Sequence, residues 1–138
     1  MMFCKGEKVY EVIARSRDGS MLIMTRTVES CGQKKGTLRS NRTGSMTKSF
    51  FYPPTYDSAG RCTLRGNFHG LYSTAKVSRE EVEAVAFEIG RQQLIYEREH
   101  YTNRLDREAN PNASEPYYAA VQAALDNLPV EPTVIWEE

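Results

Sequence analysis

The side chains that could carry out chemistry are few and widely spaced. His69 and His100 are the two histidines. An imidazole works as a general base only beside a carboxylate that orients it or a nucleophile that it activates. No spacing in the chain marks such a partner. Cys4, Cys31 and Cys62 are odd in number, lie far apart and form no C-x-x-C pair. A structural zinc would need a fourth ligand, and the histidines are not spaced as in a zinc finger. The cysteines therefore read as small buried hydrophobes. The nine glycines form neither G-x-G-x-x-G nor a phosphate-binding loop, which disfavours nucleotide sites of those types. Neither a metal nor a cofactor is expected.

Charge offers more. Lys34, Lys35, Arg39, Arg42 and Lys48 fall within fifteen residues, followed by Phe50, Phe51, Tyr52 and Tyr56. Cations for phosphates beside rings for base stacking are what a nucleic-acid surface needs. The plainer alternative is a solvated loop beside a core strand, and no RNP1-type motif is present. Later in the chain come Glu80, Glu81, Glu83, Glu88, Glu97 and Glu99. Such a surface repels nucleic acid, mimics it, or meets a basic groove on a protein. Its plainer alternative is a solvated helix face with internal pairs such as Glu88 with Arg91. Residues 1–69 hold twelve Lys or Arg against five Asp or Glu, a net of +7, and the remainder carries −7. The zero net charge thus hides two electrostatically opposite halves.

The elements that position these groups divide at Val77-Ser78-Arg79-Glu80-Glu81. Ser78 followed by Glu81 is a capping-box pattern: the hydroxyl accepts from the Glu81 N–H, and the carboxylate reaches back to the Ser78 N–H. Before it, Val9 to Ala14 and Met21 to Val28 read as strands joined by Arg17-Asp18-Gly19-Ser20, whose D-G pair suits a tight hairpin. Their apolar residues do not alternate cleanly, so neither face is marked as the buried one. Turns at Cys31–Gly36, Asn41–Gly44 and Asp57–Gly60 separate strand candidates at Thr37–Ser40, Met46–Tyr52 and Arg61–Leu64. Pro53-Pro54 stops the second of these. Leu71 to Ala75 is the last strand of the half. Five or six short strands at this spacing indicate an antiparallel sheet or a small barrel.

After Ser78, Val82, Val85, Ala86, Ile89, Gln93 and Tyr96 follow helical spacing with one polar gap. Phe87, Leu94, Tyr101 and Leu105 form a second stripe. A helix running to Glu108 would be roughly 45 Å long, so its distal part either projects or breaks. Ser114 caps a second helix with Pro116 in its first turn, and Tyr117, Val121, Ala124, Leu125 and Leu128 line one face. Pro129 stops it, and the two helices should form an antiparallel pair. The tail Thr133-Val134-Ile135-Trp136 is strand-like. It either packs on the protein's own sheet, which is favoured, or offers Trp136 to a partner.

The expected architecture is α+β: a strand-rich basic half, residues 1–77, then a helical acidic half, residues 78–138, with an extended tail. At 138 residues, with 40% hydrophobic and 26% charged, one domain with one core is expected. No apolar run suits a membrane span, and Met1 to Gly6 lacks the core of a signal peptide. A cytoplasmic protein is expected, in which the sequons at Asn41 and Asn112 are coincidental.

Two resemblances bear on function. Phe68-His69-Gly70-Leu71-Tyr72-Ser73-Thr74 superficially resembles the H-then-Y pattern of ADP-ribosyltransferases, over a handful of residues. It implies an enzyme built on His69 with a later Glu that nothing in the sequence fixes. Lys5-Gly6-Glu7-Lys8-Val9-Tyr10 onward, running into Leu71 to Val82, resembles small accessory proteins of bacteriophages, in which a small barrel precedes an S/T-x-E-E helix. That resemblance covers roughly residues 5–95. It implies a non-enzymatic protein that binds a host macromolecule, blunting a defence or redirecting a polymerase. The leading expectation is accordingly a binding protein that occupies the surface of a host protein, with Tyr96, Tyr101 and Trp136 as aromatic anchors beside Glu97 and Glu99. The second is a nucleic-acid-binding module using Lys34, Lys35, Arg39, Arg42 and Lys48. An enzyme at His69 ranks third. The sequence sets no oligomeric state.

Overall fold

The computed structural model describes residues 3–31, 35–40, 46–51 and 68–137. The turn tips expected at 32–34 and 41–44, the Pro53-Pro54 stop, the turn at 57–60 and the strand candidate at 61–64 lie outside them. So do Tyr52, Tyr56 and Cys62.

Strands β1 (Lys8–Ala14) and β2 (Met21–Cys31) form the expected hairpin. Its connection is residues 15–20, longer than the tight turn expected of the D-G pair, and Arg15 N–H donates to the Ser20 carbonyl at 2.8 Å. Gly19 takes φ +82°, and Asp18 Oδ1 accepts from the Ser20 N–H at 2.9 Å and from the Ser16 hydroxyl. Strands β3 (Lys35–Ser40), β4 (Met46–Phe51) and β5 (Phe68–Ser73) extend the sheet in the order β4-β3-β2-β1-β5, all antiparallel. That path is open, with β4 and β5 at its ends. The last strand, β6 (Val134–Glu137), pairs in parallel with Met21–Met24 of β2. β6 and β3 therefore share one edge of β2 end to end, since β3 joins only from Arg26 onward. The tail packs on the protein's own sheet.

Alternation assigns Tyr10, Val12, Ala14, Met21, Ile23, Tyr72, Val134 and Trp136 to one face, where they pack with Val77, Val82 and Ala86. Val9, Glu11, Val28, Leu38 and Leu71 belong to the opposite face, and all of them are buried as well. Burial on both faces is why the strands do not alternate in polarity. Within that second layer, Glu11 Oε1 accepts from Arg26 Nε at 3.2 Å. Glu11 pairs with Met24, so Arg26 is its diagonal neighbour across the β1–β2 ladder.

Helix α1 (Arg79–Arg104) starts at the expected cap. The Ser78 hydroxyl accepts from the Glu81 N–H at 3.1 Å. The Glu81 carboxylate reaches back to that hydroxyl at 3.2 Å, where an N–H was expected as its donor. The helix ends at Leu105, short of Glu108, because the Asn110 side chain takes the terminal carbonyls. Its Nδ2 donates to the oxygens of Asn103, Arg104 and Asp106 at 3.1–3.4 Å. Helix α2 (Glu115–Asp126) is capped by Ser114 as expected, but it buries Tyr118 and Val121 while Tyr117 is exposed. No helix among the described residues is long and apolar enough to cross a membrane.

Candidate functional site

The hairpin turn and the middle of α1 enclose a cleft of about 670 Å³. Ala14, Arg15, Ser16 and Arg17 form its sheet side. Two adjacent rows of α1 form the other: Glu88, Gln92 and Tyr96, and Ile89, Gln93 and Glu97. Each row repeats every four residues, which stacks its side chains along one line of the helix surface. The cleft exists because the turn is clamped to the helix beside it. A Cβ on Gly90 would fall 2.6 Å from the Gly19 carbonyl oxygen and 2.7 Å from Pro132 Cβ. Only glycine allows this approach.

The carboxyls in the cleft are in unlike states. Glu88 is exposed and already engaged: Oε2 accepts from Arg91 Nε at 3.0 Å, and Oε1 from Arg91 Nη2 at 2.9 Å and from Gln92 Nε2 at 3.0 Å. These bonds, the Arg91 one first, lower its pKa. Glu97 is buried at 7% exposure, and its Oε2 has no hydrogen-bond partner. A buried acceptor left without a donor costs about 1–3 kcal/mol. Next to it Tyr96 is 65% exposed, with its ring stacked on His100 at a centroid distance of 6.1 Å. An open aromatic beside a buried, unmet acceptor suits recognition of a ligand that brings a hydrogen-bond donor.

The structure distributes the residues expected to bind a partner protein over three places. Tyr96 and Glu97 share the cleft. Tyr101 is half-buried one position beyond His100, and Glu99 is exposed next to a shallow depression formed with Arg98, Thr102 and Asn103. Trp136 stands apart, at the start of α1. Its Nε1 donates to Glu83 Oε1 at 3.2 Å, Tyr10 meets it edge-on at 5.5 Å, and the Arg79 guanidinium lies 3.8 Å from the ring centroid. Glu83 and Tyr96 are thirteen residues apart on α1, roughly 20 Å at 1.5 Å per residue. The aromatic anchors therefore do not form one patch.

Lys34 and Arg42 lie outside the described residues. Lys35 and Arg39 are in β3 and Lys48 in β4, where Lys48 pairs with Leu38 beside Arg39. These strands join the half of β2 remote from the hairpin turn, so the basic residues and the cleft occupy different regions. His69 is the extra residue of a bulge in β5, between Phe68 paired to Ile13 and Gly70 paired to Val12. Cys4 is exposed, contrary to the expectation of a buried thiol. Arg15, Arg17, Gln92 and Gln93 are site residues that the sequence did not single out. The available signal was Gln93, the polar gap in an otherwise apolar helical row.

Comparison with family models, with curated proteins and with solved structures finds no match for this chain.

Proposed function

We propose that this chain is a non-enzymatic binding protein that occupies a surface of a partner protein, docking through the cleft between the β1–β2 turn and α1. The carrying observation is Tyr96, a large aromatic left 65% exposed in a cleft also lined by Glu97, a buried residue with one unpartnered carboxyl oxygen. Tyrosine is over-represented among the residues that dominate the binding energy of protein interfaces. The exposed acids Glu80, Glu81 and Glu83 at the start of α1, away from the cleft on the same helix, would speed encounter with a basic partner. The resemblance to small phage accessory proteins makes the partner a host protein, acting in defence or transcription. The same reading includes the finer architecture, with a strand region curled toward a small barrel and α1 and α2 as an antiparallel pair. Two contacts support the helix pair: Arg107 lies over the Tyr118 ring near the start of α2, and Arg98 donates to the Pro129 carbonyl after its end.

The test is capture from nuclease-treated bacterial lysate with the wild-type chain and with Tyr96→Ala. One or two proteins retained stoichiometrically by the wild type and lost by the variant are expected. Capture abolished by nuclease would move the function to the basic strands and to nucleic acid.

A further inference from the structure

We infer that the cleft is an arginine-recognition pocket: it takes the guanidinium of a partner's arginine side chain, with a carboxylate of the same peptide segment meeting Arg15 and Arg17. The inference rests on the cleft being the docking site and specifies what enters it. The first observation is Glu97. The residue lines the cleft, is more than nine-tenths buried, and has one carboxyl oxygen without a hydrogen-bond partner. A donor from outside the chain would complete it, and a cationic donor gives the stronger bond. The second is Tyr96, the next residue, whose ring is open to solvent and lines the same cleft. A planar, weakly hydrated guanidinium stacks on such a ring while its fork meets a carboxyl group, whereas a lysine ammonium is a strongly hydrated point charge. The third is the remaining charge in the cleft. Arg91 already neutralises Glu88, so Arg15 and Arg17 on the opposite wall are the cations left to balance. They disfavour a bare cation and favour a segment in which an acidic residue neighbours the arginine. Ile89, on the α1 side in the same row as Glu97, offers an apolar surface for the methylene stem of the side chain. The volume of about 670 Å³ lies in the range of small-ligand sites.

The experiment titrates the full chain with the capped dipeptide N-acetyl-arginyl-glutamate amide and follows backbone amide shifts by NMR. Saturable shifts concentrated at residues 14–17 and 88–97 are expected. Replacing arginine by citrulline, which keeps the shape and removes the charge, should weaken binding by about tenfold or more. Glu97→Gln and Tyr96→Ala should each weaken it similarly, and the dispersed spectrum of each variant reports that it is folded. The citrulline arm uses only the wild-type chain, so it decides the matter even if a variant unfolds. Equal affinity for the citrulline or lysine peptide, or shifts absent from these residues, would overturn the inference. Because the peptide replaces the natural partner, its failure leaves docking through the cleft to be judged by capture with Tyr96→Ala.

Discussion

Gly19 and Gly90 meet backbone to backbone, and this contact holds the β1–β2 turn against α1. A Cβ on Gly19 would lie 3.0 Å from the Gly90 carbonyl oxygen and 2.7 Å from Leu94 Cγ, and Gly19 also needs its φ of +82°. The reciprocal Cβ on Gly90 is blocked by backbone and by a proline ring, neither of which yields as a flexible side chain does.

Gly90→Ala is therefore expected to destabilise the protein by about 1–3 kcal/mol through overpacking, although alanine is the better helix former. Urea denaturation checks this. The same variant should weaken partner binding, since it pushes Ala14–Arg17 away from the helix rows. An unchanged or raised stability would mean that the turn does not rest on α1.

The buried ion pair makes a second prediction. Glu11 is fully buried and Arg26 nearly so. Removing one partner, as in Arg26→Met, should cost about 3–5 kcal/mol because a charge is left in the interior. Replacing both with apolar residues of similar volume, as in Glu11→Leu with Arg26→Met, should recover most of that loss. Chemical denaturation of the two singles and the double measures the coupling, and additive losses would contradict it.

Trp136 is expected to act in folding rather than in recognition. It joins β6 to α1 through Arg79 and Glu83 and to β1 through Tyr10. Trp136→Ala should lower stability by about 1–3 kcal/mol. Affinity for the partner, measured well below the melting temperature, should hardly change. A large loss of affinity in a stable variant would place Trp136 in the interface.

Asp18 carries a pH dependence of defined sign. Hydrogen bonds from the Ser16 hydroxyl, then from the Ser20 hydroxyl and N–H, hold its carboxyl below the ordinary value of 3.8. A carboxyl whose pKa is lower in the folded state stabilises fully above its unfolded value. That contribution is lost as pH falls through the lower folded value. Asp18→Asn should thus lower the melting temperature near neutral pH, and the gap to wild type should close in acid below 3.8. A gap independent of pH would mean that the charge of Asp18 contributes nothing to the turn.

What could be read from the sequence was local. The Asp18-Gly19 turn and the Ser78 and Ser114 caps follow from short-range chemistry, and the structure has them. The return of the tail to the sheet is favoured by its apolar, strand-like character alone, and its partner strand β2 is not legible in the sequence. The α+β order of strands then helices follows from periodicity and is present too. What could not be read depends on contacts between distant segments. Glu97 could be named from the sequence as an acid beside Tyr96, but its burial could not be read there. Glu11 and Arg26 count as surface charges until the ladder makes them diagonal neighbours. Gly90 did leave a trace. Val82, Ala86, Gly90 and Leu94 form a row of four-residue steps along the buried side of α1, and a glycine there marks a close approach.

Docking through the cleft is tested most directly by hydrogen exchange of the chain with and without its captured partner. Protection should rise at residues 14–17 and 88–97. Protection confined to the strands around Lys35, Arg39 and Lys48, with the cleft unchanged, would contradict the cleft as the binding site.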